Sequence, residues 1–365
     1  MTVIKTKILF IAPHLRDGGM GRVMTTVIRY LDRQRFTPVL ALFRTANASY
    51  LKDIPCDVQI LDLNTSFRYA FFPVYKSIRN IKPDIVYSSW GRINILIALI
   101  MPFLNKRIKF IARENIIVSE GVFHGERSGL SKLFCKILYP RFNKIICQCQ
   151  YMKDDLVTHL NISTKKTVVI NNPVDINNII AKAVCSNIEL YPFGKINLLA
   201  VGRLGYQKGY DYLLRSLMLL DDNYHLSILG TGELERELME LAKKLDISKK
   251  VSFLGFKDNP YTYMANADLL VLSSRYEGFP NVALEANVCG LPVVAFDIPP
   301  VAEIIKNGEN GILVELGNCE KLAEGIQKAC NTNFNKQIIK KTVFFKYHAE
   351  KIVKQYEEVF LKIDG

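Results

Sequence analysis

The chain has 365 residues, 49% of them hydrophobic, enough for two ordinary domains with cores of their own. Its longest apolar stretch, "INILIALIMPFL" at 93–104, falls short of the ~20 residues a membrane-spanning helix needs and reads as a buried helix. The formal charge of +13 is unevenly placed. Residues 1–188 carry 27 Lys and Arg against 12 Asp and Glu, whereas residues 189–365 carry 21 against 23. The basic excess sits in the first half and points to an anionic surface or an anionic substrate there.

The N-terminal "MTVIKTKILFIAPH" has a short apolar run with no small-residue cleavage site after it, so it reads as a first strand rather than a signal peptide. "KILFIAP" (7–13) is that strand. "PHLRDGGMGRV" (13–23) then closes it and opens the helix "GRVMTTVIRYLDR". Gly18, Gly19 and Gly21 allow close backbone approach at a helix N-terminus, where free N–H groups favour an anion. The loop is neither a G-x-G-x-x-G fingerprint nor a P-loop, so a flexible turn stays open as the alternative. Further strands follow at "TPVLALF" (37–43), "DIVYSSW" (84–90), "KFIAREN" (109–115) and "KIICQCQ" (144–150). Between them, "SFRYAFFPVYKSIRNIK" (66–82) and "SGLSKLFCKILYPRFNK" (128–144) interleave basic and large apolar residues. Both suit an anionic membrane face, or are ordinary amphipathic helices with a solvated basic side.

A polar, Pro-interrupted joint lies around 171–195, and the alternation then begins again. Strands are predicted at 196–204, 226–232, 251–256, 268–274, 292–297 and 311–315, each followed by a helical pattern or a tight turn. Twice-repeated βαβ units imply an α/β chain of two doubly wound domains with parallel sheets, and a cleft between them is the default ligand site. The expected domains are 1–185, 186–345 and a C-terminal helix at 346–365 packing back toward the first.

The second half carries the sharper chemistry. In "AVGRLGYQKGYDYLL" (200–214), Arg203 and Lys208 stand among Gly202, Gly205 and Gly209 after a strand. Two cations on a Gly-rich turn suit a diphosphate, with a solvated charged loop as the alternative. "LGTGELERELMELAKKL" (229–245) puts Glu residues in the first turns of a helix, where they suit its dipole. Gly255 and Phe256 end "VSFLGF", a turn able to hold a nucleobase through main-chain groups. In "SSRYEGFPNVALEANVCGLPVVAFD" (273–297), Glu277 lies in the loop before a helix and Glu285 inside it. Ligands in such folds sit at the carboxyl ends of strands, so both carboxylates lie where paired hydroxyls of one extended ligand would be held. A nucleotide sugar has such parts in order: ribose diol, diphosphate, sugar hydroxyls. Eight scattered cysteines include no Cys-x-x-Cys pair and read as reduced, mostly buried thiols rather than metal ligands.

The segments "VGRLGYQKG", "LGTGELE", "VSFLGF", "RYEGFPNVALEANVCGLPVVAFD" and "AEIIKNGENGILVE", with "GGMGRV" and "NNPVD" in the first half, resemble in order and spacing the retaining glycosyltransferases of family 4, of GT-B fold. The resemblance covers almost the whole chain and is most specific in the second half. It implies two Rossmann-like domains facing each other across a cleft, and a sugar moved from a nucleotide-diphosphate sugar, a UDP-sugar favoured, to a glycan or lipid-linked acceptor. The setting it suggests is surface polysaccharide (O-antigen, capsule) or glycolipid assembly. Carried over residue by residue, Arg203 and Lys208 hold the diphosphate and Glu285 the ribose. Glu277 contacts the sugar, and the main chain of Gly278, Phe279, Pro280 and Asn281 lies near sugar and phosphate. Gly202 and Phe256 complete the donor site, and Gly18, Gly19 and Gly21 close over the donor from the first domain.

Arg203, Lys208 and Glu277 are the candidate catalytic residues. The resemblance also implies that neither metal nor cofactor is needed, because cations neutralise the leaving diphosphate; this agrees with the lack of an Asp-x-Asp at a strand end. Many members carry a His after the strand that here ends in Arg113, Glu114 and Asn115; His124 lies further along. Arg113, Asn115 and His124 are therefore the candidates for sugar or acceptor contacts. The expected partners are a nucleotide sugar, the acceptor and an anionic membrane surface, with no nucleic acid, and the expected location is cytoplasmic and peripheral at the inner membrane face. A GT-B-like sugar-nucleotide epimerase or phosphorylase would share the donor site and is the alternative.

Overall fold

A computed structural model describes residues 5–16, 18–46, 48–123, 129–184 and 190–363. It divides the chain into two units. One spans the described residues up to Pro173 together with those from Ala349 onward; the other is Val174–His348.

The first unit contains β1 (Thr6–Ala12), α1 (Gly19–Tyr30), β2 (Phe36–Leu42), β3 (Gln59–Asp62), α2 (Phe71–Ile81), β4 (Ile85–Ser89) and α3 (Gly91–Ile100). It continues with β5 (Lys109–Arg113), α4 (Val118–Phe123), α5 (Gly129–Leu138), β6 (Lys144–Cys147), α6 (Gln150–Leu160) and β7 (Thr167–Val169). The seven described strands are all parallel, in the order β3-β2-β1-β4-β5-β6-β7. The order reverses between β1 and β4, and crevices for ligands form at the carboxyl ends of strands at such a switch point. Strand β4 is buried along its whole length and β1 over all but its first two residues, as a sheet covered on both faces requires.

The second unit contains α7 (Ile176–Ala183), β8 (Ile196–Val201), α8 (Tyr210–Met218), β9 (Tyr224–Leu229), α9 (Glu235–Lys244), β10 (Val251–Phe253), α10 (Tyr261–Asn266) and β11 (Leu269–Leu272). It continues with α11 (Asn281–Cys289), β12 (Val293–Phe296), α12 (Pro299–Ala302), β13 (Gly311–Val314), α13 (Cys319–Cys330) and α14 (Lys336–Tyr347). Its six described strands are parallel in the order β10-β9-β8-β11-β12-β13, so its switch point lies between β8 and β11. Leu213, Leu214 and Leu217 bury one face of α8 on this sheet. Each such side chain contributes about 1.5–3 kcal/mol. Local signals start and stop the helices. Asn318 and Asn335 accept main-chain N–H bonds at the starts of α13 and α14, and Gly290 ends α11 with a φ of 78°.

Several expected boundaries move. The division falls between Pro173 and Val174, not at 185/186, because Asp175 caps α7 and the helix packs on α10 and α11 of the second unit. The second unit runs on to His348. The last helix, α15 (Ala349–Leu361), belongs to the first unit: Ile352, Val353, Tyr356 and Phe360 share a core with Phe10, Phe36 and Tyr87. The strand expected at 144–150 ends at Cys147, because Cys149 turns the chain and its sulfur accepts from Met152 N at the start of α6. The apolar stretch at 93–104 is α3 plus a short 3₁₀ turn, and Leu99 and Phe103 on it are exposed. Strands β3 and β7, too short to announce themselves, complete the first sheet. Among the described residues no helix is long and apolar enough to cross a membrane.

Candidate active site

The carboxyl ends of β8, β9 and β11 are held together by close main-chain approach. Gly209 has a φ of 60°, and a Cβ there would stand 2.1 Å from the Ser273 carbonyl oxygen. Gly230, with a φ of 141°, would bring a Cβ to 1.9 Å from the Gly202 carbonyl oxygen, and Gly232 to 2.3 Å from that of Leu204. These contacts press the loop at 202–209 against the loops after β9 and β11, where only glycine fits.

The charged groups are placed on that frame. Lys208 Nζ lies 2.6 Å from Glu277 Oε1, and the Ser274 hydroxyl donates to the same oxygen at 2.7 Å. Both ionic side chains are largely buried. Oε2 of Glu277 takes no hydrogen bond from the described residues. The Ser273 hydroxyl donates to the Lys208 carbonyl at 3.0 Å, and Gln207 Nε2 to the Tyr276 carbonyl at 3.0 Å. Arg275 bonds Asp211 at 2.7 Å and the Tyr206 carbonyl at 2.8 Å while lying over the Tyr206 and Tyr212 rings. The 3₁₀ turn at 206–208 that carries Lys208 is thereby clamped from the β11 side. Tyr210 donates to the Gly202 carbonyl at 3.1 Å, and burial, with Glu277 nearby, pushes its hydroxyl far above the ordinary phenol range. The hydroxyl stays a donor and locks the same loop.

The remaining second-unit candidates lie at the carboxyl ends of the same sheet and in α11. Arg203 is 76% exposed and meets Glu233 at 2.9 Å, a pair open to water. Glu233's own main-chain N–H and then the Arg203 guanidinium hold its carboxyl below the usual range. Gly278 leads into Phe279 and Pro280, both buried, and the Phe279 ring packs on Tyr347. Pro280 is the N-cap of α11 and Asn281 its first residue; Glu285, buried, sits about one turn further on. Phe256 is half exposed beyond β10. A cavity of about 480 Å³ between α8 and α9 is lined by Tyr206, Tyr210 and Arg275, which hold the Lys208 loop, and by neither Lys208, Glu277 nor Glu285.

In the first unit, Gly18 (φ 118°) caps α1 and Gly19 begins it. Gly21 is buried, and a Cβ on it would stand 2.9 Å from the Arg16 carbonyl oxygen. Arg113 and Asn115 lie in a buried polar network at the carboxyl ends of β4 to β7. The Arg113 guanidinium, 1% exposed, donates to the side-chain oxygens of Asn115 and Asn172. Asn115 Nδ2 donates to Ser89 at 3.2 Å, and Gln148 Nε2 to the Glu114 carbonyl at 2.9 Å. Asn172 Nδ2 donates to Gln148 Oε1 at 3.0 Å. The Glu114 carboxylate is fully buried and accepts from the Tyr139 hydroxyl and from Asn115 N at 2.9 Å. His124 and Cys185 lie outside the described residues, and the other seven cysteines are free thiols.

Known proteins supply the family. Residues 188–343 match the family described as Glycosyl transferases group 1, and residues 17–178 match Glycosyltransferase Family 4. The N-acetylgalactosamine-N,N'-diacetylbacillosaminyl-diphospho-undecaprenol 4-alpha-N-acetylgalactosaminyltransferase of Campylobacter jejuni is 30% identical over 328 residues, which cover 86% of this chain and 87% of that protein. The chain belongs to glycosyltransferase family 4. A second relative of this family 4 enzyme, the amylovoran biosynthesis glycosyltransferase AmsD of Erwinia amylovora, is 26% identical over 82% of each chain. The crystal structure of Anabaena HepE in complex with UDP superposes with a TM-score of 0.80 at 21% identity, over 98% of this glycosyltransferase and 100% of HepE. A HepE complex with UDP-glucose gives 0.81. The glycosyltransferase has two parallel Rossmann-like sheets and the GT-B fold.

Several residues that hold the candidate site of this glycosyltransferase together lie inside the segments that carry the family resemblance with no role marked there (Gln207, Arg275, Asn172) or outside those segments (Ser274, Gln148). Ser274, Gln207 and Arg275 matter through partners 3 to 69 positions away, and Asn172 bonds Arg113 directly while Gln148 joins it through Asn172. The one available hint was the run "QKG…SSRYEG", polar residues at the ends of two otherwise apolar strands.

Proposed function

We propose that this glycosyltransferase moves a sugar, with retention of anomeric configuration, from a nucleotide-diphosphate sugar (a UDP-sugar first) to a lipid-linked glycan acceptor in surface polysaccharide or glycolipid assembly. The observation that carries the donor half is the buried Lys208–Glu277 pair, which presents one cation and one unengaged carboxylate oxygen at the switch point of the second sheet. Lys208 and Arg203 hold the diphosphate, Arg203 by exchanging its exposed contact with Glu233 for the ligand. Glu277 Oε2 accepts from a sugar hydroxyl, and Glu285 from the ribose diol. The main chain at Phe279–Asn281 meets the phosphate at the start of α11.

In the transfer step the anomeric carbon–oxygen bond to the diphosphate breaks and the acceptor hydroxyl attacks the same face. The hydroxyl proton passes to the leaving phosphate oxygen, so no enzymic nucleophile is required. Lys208 and Arg203 stabilise the growing negative charge, which makes the reaction independent of a divalent metal. Support for the class of donor and acceptor comes from HepE, solved with UDP-glucose, and from the Campylobacter relative, whose name gives a diphospho-undecaprenol substrate.

The same reading makes the enzyme peripheral at a membrane. Helices α2 and α5 both pack on α3. Together they expose Tyr69, Phe72, Phe103, Leu130 and Ile137 beside Arg68, Lys76, Arg79 and Lys136. Large apolar side chains among cations suit an anionic bilayer. Co-sedimentation is expected with anionic vesicles and not with neutral ones; equal recovery with both would remove this part.

The deciding experiment is a thermal-shift panel of UDP, GDP and ADP with their sugar conjugates, in EDTA and then in Mg²⁺. A shift with one base in EDTA is expected, and Glu285→Ala should reduce it. No shift with any nucleotide would sink the donor assignment. An epimer formed from the sugar nucleotide with no acceptor present would favour the epimerase instead.

A further inference from the structure

At the switch point of the first sheet, residues just past β1, β2, β3 and β4 line a cavity of about 220 Å³. Three arginines, Arg16, Arg44 and Arg92, line it, and among the described residues no acidic one does. Main-chain bonds fix its rim: Arg44 N donates to the Pro13 carbonyl at 3.3 Å, and Thr65 N to that of Phe43 at 2.9 Å. Aromatic rings form its apolar part. The Arg92 guanidinium lies 4.4 Å from the centre of the Phe67 ring, and His14 meets Trp90 edge to face at 5.7 Å. Trp90 is held at a φ of 114°, a conformation a bulky residue rarely adopts, which aims its ring from the end of β4. The Asp62 carboxylate is engaged by Thr45 and by the main chain of Asn64, which with a smaller pull from Arg44 hold it below the usual range.

Three exposed arginines lining one cavity, with no carboxylate among its described lining residues, make a cationic patch that an anion would neutralise. Arginine's fork matches the paired oxygens of a phosphoryl group. The cavity is smaller than those that enclose whole drug-sized ligands, so it suits a head group whose remainder continues outside. We propose that it is an anion subsite for the phosphate or diphosphate by which an acceptor is carried. The inference rests on the transferase reading for the identity of the ligand as an acceptor, but the subsite is built from residues of the first unit alone.

The test uses the full chain and the fact that Trp90 is the only tryptophan in it, so emission excited beyond the tyrosine absorption band reports on the surroundings of Trp90. The probes are farnesyl diphosphate below its micelle concentration, inorganic diphosphate and farnesol. Both diphosphates are expected to change Trp90 emission saturably and to compete. Arg44→Ala and Arg92→Ala should each weaken them at least tenfold, Arg44→Lys less so, and Lys208→Ala not at all. Tighter binding of farnesyl diphosphate than of inorganic diphosphate assigns the site to a lipid-linked group; equal binding assigns it to a free phosphoryl group. No change with either diphosphate, wild-type affinity in the arginine variants, or farnesol binding as tightly as its diphosphate would overturn the subsite. Loss of UDP binding with the Trp90 response intact would remove the transferase reading and leave the subsite standing.

Discussion

The carboxyl ends of the two sheets are built by opposite means. In the second unit, main chain meets main chain: Gly209, Gly230 and Gly232 each sit where a Cβ would overlap a carbonyl oxygen, and a single buried ion pair is set on top. In the first, side chains span the gaps: Arg113, Asn115, Gln148 and Asn172 tie β4 to β7 together, and Asp155 of α6 accepts from the main chain of Val118 and Ser119 to hold α4. A glycine contact tolerates no side chain, so it fixes the loop that carries Lys208 with little freedom to vary. A side-chain network can be rebuilt in concert, provided every buried polar group keeps a partner. The half proposed to hold a nucleotide therefore rests on steric necessity, and the half proposed to hold the acceptor on exchangeable chemistry.

The contrast can be broken most sharply at Gly230. Gly230→Ala needs a φ of 141° and drives a methyl into the Gly202 carbonyl, so a loss of about 4 kcal/mol or more is expected by urea denaturation. Stability equal to the parent would remove the steric account. Arg113→Met removes the buried guanidinium that donates to Asn115 and Asn172 and should cost about 3 kcal/mol. Combined with Asn172→Leu, it should show a coupling above about 0.5 kcal/mol; strict additivity would mean that the network is no network. Lys208→Met strands the buried Glu277 carboxylate and should cost about 2–3 kcal/mol, whereas adding Glu277→Gln should recover part of that loss. A double variant worse than the single would show that the pair is not the term being broken. The smallest stability effect belongs to Arg203→Ala. Its pair with Glu233 is exposed on both sides, so denaturation should move by no more than about 0.5 kcal/mol. Calorimetry with UDP should nevertheless show affinity weaker by tenfold or more, which separates a binding role from a structural one.

Legibility followed locality. The strands around "INLLAV", "LLVL" and "VVAF" were readable because each is a short apolar run closed by a turn residue. Lys208, Glu277 and Glu285 stand out as candidates because they lie in Gly-marked loops and helix starts whose chemistry is visible within a dozen residues. Strands β3 and β7 were not, since three or four half-exposed residues have no period to detect. The boundary at Pro173 was missed because α7 looks the same in sequence whichever unit it packs on; only its burial against α10 and α11 assigns it. Arg113 is a candidate because it stands where many family members carry a His, but nothing near it in sequence announces that Asn172, 59 positions away, receives its guanidinium.

By itself the sequence determined the α/β class, the two parallel sheets and the second-unit loops that carry Lys208, Glu277 and Glu285. All of these depend on periodicity, glycine and helix-start signals that act over a few residues. Only the tertiary structure decided that Lys208 bonds Glu277, that α15 completes the first core and that three arginines from separate strand ends share one cavity with Trp90. Those pairings join residues that the chain keeps far apart. The order and register of the strands bring them together, and neither is written in the local pattern of any one segment.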